Sequence, residues 1–169
     1  MILFVHRQGY DKLVEEYCSA INNHFGNWLN SICLFGSVAR GEAKPNSDID
    51  ILVVAEGLPK DIGMRMKETN YIHRNLKKGE AYISLRKSGV SGFISDIFFT
   101  PEEMERHPPI LLDIVDEGVI LYDRNSFLSN ALKRLKERLE SQQARKVKTK
   151  KGHFWILKPE VKLGEIVEI

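Results

Sequence analysis

Residues 49–54 constrain the fold most, because Ile, Leu or Val occupies every position in them except Asp50. Successive side chains of a strand point to opposite faces of a sheet, so a strand here is apolar on both faces beyond its start. Such a strand needs cover on both sides, from sheet neighbours and from helices. We therefore predict that residues 49–54 form a buried strand with helices packed against its sheet.

Two long segments carry apolar residues at spacings of three and four, which indicates amphipathic helices. The first is residues 10–29, with a predicted buried face of Val14, Tyr17, Cys18, Ile21, Phe25 and Trp28. The second is residues 59–78, with Pro59 near the first turn and a predicted face of Ile62, Met66, Thr69, Ile72 and Leu76. Both helices are expected to cover the sheet.

The remaining elements are shorter. Strands are predicted at residues 32–35, 93–99 and 119–122, and helices at residues 80–88, 108–117 and 126–143. Thr100, with Pro101 after it and Glu103 three residues on, is the pattern of a capping box and predicts a helix start.

Length and composition describe one globular domain, since the chain has 169 residues, 43% hydrophobic and 28% charged. The mixture of helices with few strands predicts an α+β fold: a small mixed sheet with flanking helices, then a C-terminal helix and tail. We predict a catalytic domain over residues 1–143 and a basic and apolar tail over residues 144–169.

Charge and targeting features point to the cytoplasm. A net charge of +2 gives no strong field toward nucleic acid or membrane. Cys18 and Cys33 lie in apolar surroundings and are interpreted as core residues in a reducing compartment. No run approaches the length of a membrane span, so no membrane partner is predicted. The five histidines show no ligand spacing and are interpreted as structural or surface residues.

The segment after the first predicted strand is suited to binding phosphate. Gly36 allows a sharp turn and a close approach of the backbone to a ligand. Ser37 adds a hydroxyl donor, and the free amides that follow attract anions. Arg40 lies about one helical turn further on, where its guanidinium can reach the same anion.

Ser47, Asp48 and Asp50 form the second half of the pattern, at the entry of the strand over residues 49–54. The two carboxylates are two positions apart and point to one face, where they repel each other unless a cation lies between them. Hard oxygen ligands of this kind suit Mg²⁺, which completes its shell with water and substrate phosphates. The alternative for Ser47 and Asp48 is a simple turn pair after Pro45.

Asp96 is a lone acid in the otherwise apolar strand at residues 93–99, an expensive position unless it is paired or liganded. A third carboxylate beside Asp48 and Asp50 would hold two metal ions that clamp the attacking and leaving oxygens. We predict this role for Asp96; the alternative is an edge-strand acid that faces water.

The combination Gly36-Ser37, Arg40 and Asp48-x-Asp50 resembles the minimal nucleotidyltransferases of the DNA polymerase β superfamily, over about residues 31–100. The resemblance implies an NTP donor, most simply ATP, and two Mg²⁺ ions on Asp48, Asp50 and Asp96 as the catalytic carboxylates. It implies that Gly36 and Ser37 grip the triphosphate, and that Arg40 and Ser47 contact the nucleotide. Transfer of NMP, in particular AMP, to a hydroxyl acceptor with release of pyrophosphate is the implied reaction.

The acceptor and the partners stay open. Similar proteins modify protein tyrosines, RNA ends or small hydroxylated compounds, and some pair with HEPN-type toxins as antitoxins. One alternative function is therefore an antitoxin or scaffold that acts by contact without turnover. A second is RNA binding through the basic C-terminal segment, which includes Arg145, Lys146, Lys148, Lys150 and Lys151.

The tail carries an apolar stretch at residues 154–157, Phe-Trp-Ile-Leu. These side chains are too apolar to remain in water, so we expect them to pack on the domain or on a second copy in a homo-oligomer. Pro159 favours an extended conformation over a helix there, and the basic run before it is expected to cross the surface as a linker.

Overall fold

The structure is a computed structural model that describes residues 9–149 and 152–160. The helices of this part of the chain are α1 (Asp11–Phe25), α2 (Gly36–Arg40), α3 (Ile62–Leu76), α4 (Glu80–Lys87), α5 (Pro101–Glu105), α6 (Leu111–Glu117) and α7 (Phe127–Ser141). The strands are β1 (Leu29–Phe35), β2 (Ile49–Ala55), β3 (Ile94–Phe99), β4 (Val119–Asp123), β5 (Arg145–Thr149) and β6 (Gly152–Ile156).

The strand predicted at residues 49–54 is β2, an interior strand of a four-stranded sheet in the order β3-β2-β1-β4. It pairs antiparallel with β1 and parallel with β3, and β1 pairs antiparallel with β4. A mixed sheet with helices on both faces is therefore present, and the predicted α+β fold class is confirmed.

Alternating side chains of β2 enter two cores, as its apolar sequence requires. Ile49, Ile51 and Val53 lie in the first core, together with residues of α1, α3, α4 and the inner face of β3. Leu52 and Val54 lie in the second core, which α5, α6 and α7 cover. The sheet thus separates two apolar layers.

The first helix is shorter than predicted. It ends at Phe25, where Gly26 adopts a φ of 51° and the chain makes a 3₁₀ turn. The prediction that Trp28 belongs to the buried face is wrong, since this side chain is 60% exposed. The turn rotates Trp28 away from the face that the other predicted residues share.

The buried face of α3 also differs from the prediction at its start. Asp61 caps the helix by accepting a hydrogen bond of 2.8 Å from the Met64 amide. Ile62 and Met66 are exposed, while Arg65 joins Thr69, Ile72 and Leu76 in the interior. Arg65 is tolerated there because its guanidinium donates to the Phe98 carbonyl and to both carboxylate oxygens of Glu103.

Local signals predicted the shorter elements well. The capping box of Thr100 and Glu103 is formed in full at the start of α5, and residues 80–88, preferred as a helix, contain α4. None of the helices in the described ranges is long and apolar enough to cross a membrane.

The prediction that the basic run after α7 is a linker is wrong, because residues 145–149 form strand β5, which pairs with β6. The pairing runs from Arg145 and Ile156 to Thr149 and Gly152, and it gives the run backbone partners along one edge. Trp155 and Leu157 pack against the second core, whereas Phe154 stays half exposed. Whether residues 144–169 behave as a separate tail stays a prediction, and residues 161–169 lie outside the described part of the chain.

Candidate active site

Gly36 and Asp50 lie against each other where β1 ends and β2 begins. Phe35 and Asp50 are direct partners in the antiparallel register, so the residue after Phe35 turns over the Asp50 side chain. Gly36 has a φ of +70°, and a Cβ at this position would overlap Oδ2 of Asp50. Both the backbone angle and the contact with Asp50 therefore favour glycine at this position. The predicted close approach of a ligand to the Gly36 backbone stays a prediction.

The charges of Asp48 and Arg40 both act on the carboxylate of Asp50. Burial and the nearby charge of Asp48 raise the pKa of Asp50, while Arg40 acts to lower it. Asp48 is exposed and Asp50 half-buried, so the pair forms an acidic edge that opens to solvent. Asp48 and Arg40 therefore lie within electrostatic range of Asp50, and their roles in binding metal and phosphate stay predictions.

Arg40 is held by carboxylates. Its Nε donates to Glu42 and its NH1 to Glu117, both at 2.8 Å. Glu117 also accepts a hydrogen bond of 2.6 Å from Lys146 of β5. Burial opposes the ionisation of Glu117, but the hydrogen bonds from Lys146 and Arg40 outweigh it and lower the pKa of this group. One ionised carboxylate thus bridges two cations beside Asp50.

Glu117 and Lys146 were not predicted from the sequence to belong to the site. Glu117 looks like part of the polar face of α6, and Lys146 is one of several basic residues in a row. Arg40 and Glu117 are 77 positions apart in the sequence, and Glu117 and Lys146 are 29 positions apart. No local pattern identifies a pairing over such separations.

The two serines differ in their surroundings. Ser37 is half-buried in α2, and its carbonyl accepts from the Glu42 amide, which closes the turn after the helix. The Ser47 hydroxyl accepts from the Lys44 amide at 2.9 Å, and the Ser47 amide donates to the Lys44 carbonyl. Ser47 therefore closes a turn, which was the alternative to a role in binding. Its contact with the nucleotide stays a prediction.

Asp96 does not join Asp48 and Asp50, which contradicts its predicted place as the third carboxylate. Its partner in the parallel register of β2 and β3 is Ile51, a residue of the first core. Paired residues of neighbouring strands share a face, so Asp96 points to the face opposite Asp50. There it accepts a hydrogen bond from the Tyr17 hydroxyl at 2.7 Å and pairs with Nε2 of His73 at 2.8 Å.

The position beside Asp50 on β3 belongs to Ser95. Within residues 9–149 and 152–160, no three His, Cys, Asp or Glu side chains are grouped so as to hold a metal ion. A carboxylate pair, rather than a set of three acids, is what the described fold brings together next to Gly36.

A mixed sheet with a Gly-Ser turn and an Arg near an Asp-x-Asp pair is the arrangement expected of a nucleotidyltransferase. The family model described as Nucleotidyltransferase domain matches residues 14–166, and the chain belongs to this family. The match extends through the hairpin of β5 and β6, beyond the region where the motif itself lies.

A named relative comes from Methanocaldococcus jannaschii. It is called "Putative protein adenylyltransferase MJ1305" and is 33% identical over 128 residues, which cover 75% of this chain and 80% of the relative.

Solved structures with a similar course of the chain include a "toxin-antitoxin with AMP-PNP", with 17% identity and a TM-score of 0.48 over 76% of this chain and 91% of that chain. Another is "a putative nucleotidyltransferase from Sulfolobus solfataricus", with 20% identity and a TM-score of 0.44 over 69% and 86%.

Proposed function

We propose that this nucleotidyltransferase moves AMP from ATP to a hydroxyl group of an acceptor protein and releases pyrophosphate. The observation that carries the proposal is the contact between Gly36 and Asp50, with Asp48 and Arg40 in electrostatic range of the same carboxylate. The choice of AMP and of a protein acceptor follows the name of the relative from M. jannaschii.

A divalent cation, in particular Mg²⁺, fits Asp48 and Asp50. Their oxygens are hard ligands, and their mutual repulsion is the kind that a cation relieves. When bound, the metal would neutralise negative charge on the triphosphate and orient it. The model of two ions depended on Asp96 as a shared ligand, and the position of Asp96 removes that support.

The remaining groups serve the phosphates. The backbone amides of the turn after Gly36 and the Ser37 hydroxyl would donate to the triphosphate, next to the cation on Asp50. Arg40 exchanges its bond with Glu117 for a bond with the triphosphate, while Lys146 keeps Glu117 paired. Such positioning and charge neutralisation supply most of the rate gain in phosphoryl transfer.

The test uses the purified full chain, Mg²⁺ and ATP labelled at either the α- or the γ-phosphate, in a lysate of its own cells. Transfer of AMP leaves the α-label on an acceptor and the γ-label in pyrophosphate. The expected result is a protein band that gains α-label when the chain is added, compared with the lysate alone, and gains no γ-label. A band that gains γ-label only when the chain is added indicates phosphoryl transfer instead and would contradict the proposal.

Glu117→Gln is expected to lower the KM for ATP by about threefold, with kcat little changed. The carboxylate of Glu117 competes with the triphosphate for Arg40, and a partly exposed ion pair contributes up to about 1 kcal/mol. Initial rates over a range of ATP concentrations measure the effect. Glu137→Gln is the matched control, because Glu137 pairs with Lys133 on the exposed face of α7. A rise in KM would show that Glu117 positions Arg40 rather than competing for it.

The position of Asp96 also supports a second candidate function. With Asp96 on the face away from Asp50, the site has fewer metal ligands than the predicted set of three. A protein that binds nucleotide and a partner, such as an antitoxin for a HEPN-type protein, would need no turnover. Binding of ATP by the full chain without any transfer of the α-label favours this function over the enzyme.

A further inference from the structure

We propose that the cleft between α3, α4 and the start of β3 is a second ligand site, built for a small anion that carries an aromatic ring. The cleft has a volume of about 360 Å³, within the range of small-molecule sites. It lies on the sheet face that carries Asp96, opposite Asp50, so it is separate from the proposed site of transfer. The proposal does not depend on that function.

The polar wall of the cleft is centred on His73 and Asp96. Asp96 Oδ2 lies 2.8 Å from Nε2 of His73 and accepts from the Tyr17 hydroxyl at 2.7 Å. Asp96 thus has two partners on this wall, which hold its carboxylate and the His73 ring in place beside the cleft.

The charge around the cleft favours an anion. Lys67 and Lys77 line it, and Asp96 is its only acidic lining residue among the parts of the chain described. The Asp96 charge is already compensated by two donors. Lys77 lies at the end of α3 and is exposed, so its ammonium group can pair with an anionic group in the cleft.

The apolar wall suits a ring. Tyr82 and Phe93 line the cleft with Met66, and Phe93 and Met66 remain largely exposed at its rim. Exposed aromatic and thioether side chains beside a cationic group bind planar rings through stacking and apolar contact. A ring held by Phe93 and Tyr82, with a phosphate or carboxylate at Lys77, uses both walls.

The experiment titrates phenyl phosphate into the full chain and follows binding by calorimetry and amide chemical shifts. For a ligand of this size we expect a Kd of about 1 mM. Inorganic phosphate, which lacks the ring, and phenol, which lacks the charge, are each expected to bind about fivefold more weakly or not at all. Shifted amides should lie at residues 66–77 and 92–96.

Three variants distinguish binding in this cleft from binding elsewhere on the protein. Lys77→Ala is expected to weaken binding about fivefold. Lys78→Ala, an adjacent exposed lysine that does not line the cleft, and Asp50→Asn in the other site should leave it unchanged. The proposal would be overturned if Lys77→Ala and Lys78→Ala weakened binding equally. Loss of binding in Asp50→Asn would also overturn it, as would chemical-shift changes confined to residues 36–50. Because Lys77 is exposed, its variant is expected to fold, and an unchanged thermal midpoint verifies this.

Discussion

Asp50→Asn is expected to lower the rate of AMP transfer about 1,000-fold, because the amide neither carries the charge nor offers the second oxygen that a metal–triphosphate complex needs. Asp50 is the carboxylate that Gly36 packs against, so no neighbouring acid can take its place without moving the turn. Single-turnover transfer of α-labelled ATP at fixed Mg²⁺ measures the change. A variant with transfer close to that of the unmodified protein would show that Asp50 is not a ligand.

The same variant is expected to keep its fold. Asp48 raises the pKa of Asp50 together with burial, so removing one of the two charges relieves repulsion. Without metal, the thermal midpoint should therefore hold or rise. Asp116→Asn on the exposed side of α6 is the matched control for both measurements, because it makes the same chemical change outside the site. A midpoint that falls only for Asp50→Asn would mean that lost activity reports misfolding.

Glu103→Ala is expected to lower the free energy of unfolding by about 3 kcal/mol near neutral pH, because it leaves a buried guanidinium without its countercharge. Arg65 is 4% exposed and donates to both oxygens of Glu103 at 2.8 Å. The variant also removes half of the capping box, since Glu103 accepts from the Thr100 amide. Urea unfolding of both proteins measures the difference.

The effect of Glu103→Ala depends on pH in a definite direction. The hydrogen bond from Arg65 is the main cause that lowers the pKa of Glu103 below its ordinary value of 4.5. A carboxyl whose pKa is lower in the folded state stabilises the fold above its unfolded pKa and loses that contribution as pH falls through the folded value. The two unfolding free energies should therefore converge below about pH 4.5.

Glu102→Ala is the control for this second experiment. Glu102 sits in the same helical turn but is exposed and has no contact with Arg65 in the hydrogen bonds of the described residues. A large loss of stability in Glu102→Ala would assign the effect to helix formation rather than to Arg65. An unchanged midpoint in Glu103→Ala would show that the buried guanidinium finds other partners.

Features that rest on neighbouring residues could be predicted from the sequence. The apolar run at residues 49–54 required an interior strand, and β2 is one. Thr100 and Glu103 specified a helix start that the structure forms in full. Gly36 and Asp50 lie together because β1 and β2 are consecutive antiparallel strands, so the end of one lies beside the start of the next. In each case the physical cause acts within a few residues or between strands that follow one another in the chain.

The face of the sheet to which Asp96 points could not be predicted, because it depends on how β3 pairs with β2. Strand side chains alternate, so a one-residue change in the register between β2 and β3 moves Asp96 from one face to the other. In the observed register, Tyr17 of α1 and His73 of α3 meet the carboxylate. The bridge from Arg40 through Glu117 to Lys146 is decided in the same way, because it joins α2, α6 and β5. Contacts between elements far apart in the chain depend on the arrangement of the whole fold, and no local pattern encodes them.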